Sequence, residues 1–306
     1  MPILFSLGAR LENLPLRDFL TNPTKISNAL RQIRSVLKVD GLTCYYDPFL
    51  EAEALGCKRE WKADGSCSLA IVPFSSSDDL CQKLNSPDSL VKGGRIPIAC
   101  DVIRRLKLIL KDAPALMASV TGPLTLATQL LGKTSSEQLP IAFIEFASET
   151  TASVTKAFLE AGADVVLIVE KFVPAASHET LECYGSLLAP IFNVIRFYEA
   201  MPVLLLLDLG SRVGSFLQLA GSWECVLCLT HSENQSAPGL ARGIALPRTA
   251  FELNPFTDSQ KVPALTGSKQ PLLITSTEDL PGTLDVKILA EMIARLKTIS
   301  ASANSP

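Results

Sequence analysis

The sequence predicts an α/β protein, a single (β/α)8 TIM barrel with an N-terminal extension and a lid-like excursion over its mouth. Three observations lead there. Apolar runs each end in one polar residue: Leu42–Tyr46 into Asp47, Ala115–Val120 into Thr121, Val165–Val169 into Glu170, Val203–Leu207 into Asp208, Cys225–Thr230 into His231, and Pro271–Thr277 into Glu278. Stretches of helical character separate most of these runs. The length, 306 residues, suits one barrel of about 250 residues with extensions. Strands buried on both faces and alternating with helices imply a parallel sheet, and such sheets collect their chemistry at the carboxyl ends of the strands.

The elements follow in order. Residues 15–38 read as a helix, with Asn22-Pro23 as a break or start and Ile26, Leu30, Ile33, Val36 and Leu37 on its apolar face. A strand at 42–47 comes next. Residues 57–100 are the least regular part, read as an excursion with a short hairpin near 67–73 and a small helix near 78–85. An amphipathic helix at 102–111 leads to the strand at 115–121, and another helix starts after Gly122-Pro123. A long helix at 138–161, a strand at 164–170, a helix near 177–199 and a strand at 202–208 continue the rhythm. Short strands at 225–231, 243–247 and 271–277 and a helix at 285–298 complete a barrel over residues 1–299. The small, polar stretch 300–306 is expected to be a disordered tail.

Composition excludes several classes. The 47% hydrophobic content supplies a core large enough to fold unaided. A net charge of −3 without a basic run gives no support to nucleic-acid binding. No apolar stretch reaches the roughly 18 residues that span a bilayer, and the start lacks a signal-peptide pattern, so a cytoplasmic location is expected. Eight scattered cysteines do not frame disulfides. Cys225 and Cys228 form a CxxC inside a strand, where they face opposite sides and read as core thiols.

Asp47 sits among aromatics at a strand end, where a carboxylate could stabilise positive charge; a turn-initiating Asp before Pro48 reads equally well. His231, at another strand end, is the better placed of the two histidines, His178 reading as a solvated helix start. Asp47, Glu170, Asp208 and Glu278, with His231, form a carboxylate-rich rim. Such a rim could hold a hard divalent metal or supply a general acid/base pair, or its members could simply pair with neighbouring cations.

Three stretches carry a family resemblance: Asp47 through Gly56, Val120-Thr121-Gly122-Pro123-Leu124-Thr125-Leu126-Ala127, and Glu160-Ala161-Gly162-Ala163-Asp164-Val165-Val166. In order and spacing they resemble the uroporphyrinogen decarboxylase superfamily, which comprises decarboxylases and corrinoid-linked methyltransferases on one barrel. The resemblance implies that Asp47 binds pyrrole N–H groups and stabilises a protonated intermediate. It implies that Arg10, in a reduced version of the arginine-rich loop, holds a substrate carboxylate. The family's tyrosine falls on Gln129, its serine on Lys171 and its late histidine near Glu278. The zinc ligands of the methyltransferase branch fall on Leu207, Leu209 and Glu278, and leucine cannot bind zinc. Glu51–Gly56 and Glu278–Thr283 look more like that branch.

The leading expectation is therefore a cofactor-independent decarboxylase (a lyase) acting on a tetrapyrrole or related carboxylate-bearing substrate. Its catalytic residues would be Asp47, Glu278 and His231. Arg10, Tyr46, Gly122, Gln129, Glu170, Lys171 and Asp208 would bind substrate, and no resident metal is assigned. The alternative is a corrinoid-dependent one-carbon methyltransferase without the usual zinc motif, which brings a corrinoid or divalent metal and a corrinoid protein as partner. A third reading is a non-catalytic barrel that binds a tetrapyrrole or corrinoid. The other expected partner is a small-molecule substrate, with a homodimer permitted.

Overall fold

In a computed structural model of the chain, residues 1–62, 67–71, 90–111, 114–133, 139–171, 178–207, 223, 225–229, 241–252 and 273–302 are described. Their elements, in chain order, begin with α1 (Phe5–Leu11), α2 (Leu16–Phe19), α3 (Pro23–Leu37), β1 (Gly41–Tyr45) and α4 (Leu50–Ala54). A hairpin of β2 (Lys58–Trp61) and β3 (Cys67–Ile71) precedes α5 (Ile96–Leu110), β4 (Ala115–Thr121), α6 (Pro123–Leu130) and α7 (Ile141–Glu160). Then come β5 (Val165–Glu170), α8 (His178–Phe197), β6 (Met201–Leu206), β7 (Val226–Leu229), β8 (Ala241–Leu246), α9 (Arg248–Glu252), β9 (Leu273–Ser276) and α10 (Val286–Ser302).

Seven described strands form one parallel sheet in the order β1-β4-β5-β6-β7-β8-β9. Parity along each strand divides the core. Met117, Val165, Leu167, Val203, Leu205, Val226, Ala245 and Leu273 share one buried cluster. Their neighbours Leu116, Ala118, Val166, Ile168, Leu204, Leu206 and Leu227 pack into another with the helices. This two-sided burial is why the strands read as unbroken apolar runs rather than as alternations.

Between β9 and β1 lies the start of the chain. Ile3 bridges Asp279 in parallel, its N–H donates to Ser276 Oγ at 2.9 Å, and its carbonyl accepts from Leu280 N–H at 2.9 Å. Thr275 Oγ1 donates to the Met1 carbonyl at 2.8 Å, and Thr43 Oγ1, on β1, donates to that of Pro2 at 3.4 Å. Gly41 makes room: a Cβ there would stand 1.8 Å from the Met1 side chain. Thus, among the described residues, sequence periodicity finds seven barrel strands, and a short N-terminal stretch takes the place beside the last and first of them.

Several boundaries shift. The helix expected over 15–38 is broken at residues 20–22, because Asn22 Oδ1 accepts from Lys25 N–H and Pro23 follows, a capped new start. The hairpin near 67–73 exists, and its partner strand is Lys58–Trp61, which polarity had hidden. α10 continues to Ser302, past the end expected at 299; 303–306 and the helix expected near 78–85 lie outside the described residues. Among the described residues, no helix is long and apolar enough to cross a membrane.

Candidate functional site

A cavity of about 450 Å³ opens at the carboxyl ends of β1, β4, β5 and β6. Tyr46 and Asp47 line it after β1, Thr121 at the end of β4, Lys171 after β5 and Leu207 after β6. α6 contributes Thr125, Thr128 and Gln129, and the hairpin closes one side with Ser68 and Leu69. Tyr46, Asp47, Gln129 and Lys171 from the sequence expectation therefore do meet around one space.

Asp47 is fully committed within it. Arg59 grips both carboxylate oxygens, at 2.7 Å to Oδ1 and 2.9 Å to Oδ2, and Arg95 donates to Oδ2 at 2.5 Å. Phe49 N–H adds a fourth bond at 3.0 Å. Glu53 balances the second cation through two bonds from Arg95, at 3.0 and 2.9 Å, and an ion pair to Arg59 at 3.3 Å. Burial works against the Arg95 charge, but its bonds to Glu53 and the nearby Asp47 overcome that and raise its pKa. The result is a neutral cluster of two acids and two arginines, of which Asp47, Arg59 and Arg95 have side chains 1, 5 and 9% exposed. Sequence reasoning missed both arginines, which lie in or beside the stretch read as irregular.

Glu170 does not belong to a substrate rim. It is fully buried and caps α6: its carboxylate accepts from Leu124 N–H at 3.0 Å, Thr125 N–H at 2.9 Å, Thr125 Oγ1 at 2.5 Å and Tyr184 Oη at 2.9 Å. Burial pushes its pKa up to about 7, against the pull of those donors. Gly122 is not a substrate contact but the clearance for this carboxylate. On the opposite side of the same turn, fully buried Glu51 accepts from Thr121 N–H at 3.1 Å and Thr121 Oγ1 at 2.6 Å, and burial raises it to about 7 as well.

Glu278 is exposed and stands outside the cavity wall, so it is not placed to act on a substrate there. Its neighbour Asp279 is the structural acid: it caps α1 by accepting from Phe5 N–H at 2.7 Å, Ser6 N–H at 2.9 Å and Ser6 Oγ at 2.6 Å, and burial raises its pKa to about 6. Arg10 also turns away from the cavity, exposed and donating to the Leu284 carbonyl at 3.1 Å. Burial raises the Tyr46 phenol, with Asp279, Asp47 and Glu278 adding to it. Gln129 Nε2 holds the Pro48 carbonyl at 2.8 Å, fixing the loop after β1. Asp208 and His231 lie outside the described residues.

The rim thus separates by use: Asp47 in an ion cluster, Glu170 in a helix cap, Glu278 at the surface. Among the described residues, no group of three or more His, Cys, Asp or Glu could hold a metal ion. Leu207, on which the resemblance places one zinc ligand of the methyltransferase branch, lines the cavity, and a leucine cannot bind zinc. Cys225, from the CxxC, is a buried thiol that burial pushes up to about 12, a core residue in character.

With the geometry in hand, known proteins give a consistent context. A solved methyltransferase from Methanosarcina mazei shares the fold, with a TM-score of 0.69 at 15% identity over 97% of this chain and 93% of that one. The methylated-thiol–coenzyme M methyltransferase of Methanosarcina mazei is 26% identical over 155 residues, 47% of this chain, and the matched region spans 40% of that relative's length. A family model described as uroporphyrinogen decarboxylase (URO-D) matches residues 3–184, which hold β1, the Asp47 cluster, the Thr121-Gly122-Pro123 turn and β5. That match takes in more than half of the chain and every residue lining the cavity but Leu207, so the chain belongs to the uroporphyrinogen decarboxylase family, whose members include decarboxylases and methyltransferases.

Proposed function

We propose that this chain works as a methyltransferase of the family, passing a one-carbon group to a small acceptor in the cavity, rather than as the tetrapyrrole decarboxylase that its sequence first suggests. One observation carries the reading: Asp47, the residue a decarboxylase would turn toward pyrrole N–H groups, spends both oxygens on Arg59 and Arg95. A substrate with many carboxylates also calls for several cations. Arg10 faces away, and Arg59 and Arg95 are bound to acids. A cavity of about 450 Å³ is of the size that takes a small molecule. The likeness to a methylated-thiol–coenzyme M methyltransferase points in the same direction.

In this reading a corrinoid, carried by a partner protein, supplies the methyl group. The chain's own residues bind and orient the acceptor. Lys171 and Lys133 bring positive charge to the cavity wall, Tyr46 and Leu207 give apolar surface, and Thr121, at the end of β4, completes the wall. The acceptor is held by this shell of side chains.

The test is a pair of assays on the purified chain. Methylcobalamin is mixed with small thiols and its spectrum followed, and uroporphyrinogen is supplied separately with carbon dioxide release measured. Demethylation of the corrinoid above the uncatalysed rate is expected. Release of carbon dioxide from the porphyrinogen without corrinoid demethylation would restore the decarboxylase reading.

A further inference from the structure

The arginine that occupies Asp47 comes from the hairpin. Arg59 lies in β2 directly across from Leu69 of β3, and Trp61 directly across from Cys67. Cross-strand partners in an antiparallel pair share a face, so Arg59, Trp61, Cys67 and Leu69 point the same way. That face is turned to the barrel: Lys58 and Glu60 are exposed, Arg59 and Trp61 are not. The guanidinium is enclosed as well as bonded, 5.4 Å from the Phe49 ring centre and 5.5 Å from that of Trp61, with Cys67 Sγ at 3.8 Å. The residue across the ladder, Leu69, lines the cavity.

We propose that Arg59 is a positioning residue which, by latching onto Asp47, holds Leu69 in place as the wall that sets how large a substrate the cavity accepts. Asp47 is the strike of the latch and sits two residues past the end of β1, a strand of the central sheet. Arg95, at the start of α5, steadies it from the other side while Glu53 neutralises the second cation. A two-stranded hairpin is marginal by itself, so the bidentate ion pair and the ring contacts fix its distance from the mouth. The choice of substrate then depends on a residue that need not touch the reacting atoms.

Two readouts test the inference. Replacing Arg59 by Lys keeps the charge but gives up the bidentate grip. Alkylation of Cys67 by iodoacetamide, followed by peptide mass mapping, should then speed up by about fivefold or more as the hairpin opens. An unchanged rate in a folded variant would overturn the latch. If the variant does not fold, hydrogen exchange on the unaltered chain decides. Slow exchange of the ladder amides in 58–61 and 67–71 upholds the latch, and exchange at the rate of a free peptide refutes it.

The specificity half rests on the methyl-transfer reading. Leu69→Ala should raise kcat/KM for butanethiol relative to ethanethiol by about tenfold, the worth of a methylene or two in an apolar pocket. Arg59→Lys should shift the same ratio in the same direction, which a loss of stability alone would not do. A ratio that stays constant in both variants would overturn the role of Leu69. If neither thiol is methylated, the function proposed above fails, while the alkylation and exchange results still judge the latch.

Discussion

Gly122 lies so close to Glu170 that a Cβ at residue 122 would stand 2.3 Å from the carboxyl carbon. The glycine and the acid form one device. Without a side chain at 122, the carboxylate enters beneath the first turn of α6 and meets two of its backbone N–H groups and the Thr125 hydroxyl. Thr151 Oγ1 fastens the turn from a third side, donating to the Thr121 carbonyl at 2.8 Å. The turn that brings Thr121 to the cavity wall is rigid because both of its flanks are tied to buried acids.

Substituting Gly122→Ala is therefore an overpacking change at a site with little room to yield. Glu170 is held by four hydrogen bonds, so it cannot swing aside without losing some of them. A loss of about 2–3 kcal/mol is expected from urea unfolding. A variant within about 0.5 kcal/mol of the parent would mean that the turn relaxes freely.

Glu51 and Glu170 also set a pH dependence. Both carboxyls rise from the model-compound value of 4.5 to about 7 because they are buried, and Asp279 rises to about 6. Between 4.5 and 7 the folded chain keeps protons that the unfolded chain has released. The stabilisation is complete below about 4.5 and is lost as pH rises to about 7, worth roughly 3 kcal/mol for each glutamate. Unfolding free energy should fall between pH 5 and pH 8, with a shallower fall in Glu51→Gln. Stability that is level or rises across this range would show that both acids are charged throughout.

Arg10 offers a test of function rather than of stability. In the decarboxylase reading it holds a substrate carboxylate; in the structure it bonds a surface carbonyl. Arg10→Ala should leave kcat/KM within about twofold and unfolding within about 0.5 kcal/mol. A large rise in KM would return Arg10 to the substrate.

Most of the barrel was legible, because two-sided burial writes each strand as an apolar run with little ambiguity. The rim was legible only in part. A polar residue ending a strand can serve a ligand, cap a helix or pair with a cation, and the run before it is the same in each case. Glu170 and Asp279 cap helices, and no local signal separated them from Asp47. Glu51 and Arg95 were hidden differently: their partners lie 70 and 48 residues away in sequence. Arg59 could have been found, since Arg59 and Trp61 against Cys67 and Leu69 form an alternation once 58–61 is taken as a strand.

The Asp47 cluster makes the sharpest energetic prediction, because Arg95 serves two acids at once. Arg95→Met removes one cation and leaves Asp47 and Glu53 with only Arg59 between them. Breaking a buried pair in this way costs about 3–5 kcal/mol, most of it for the uncompensated charge that remains. Adding Glu53→Gln to that variant removes one of the two stranded negative charges. The double variant should be more stable than the sum of the single losses by about 1–2 kcal/mol, as residues in one network are not additive. Urea unfolding of the four proteins at pH 7 measures this coupling. Additive losses would mean that Glu53, with its side chain 24% exposed, is already solvated, and that Asp47 alone holds Arg95 in place.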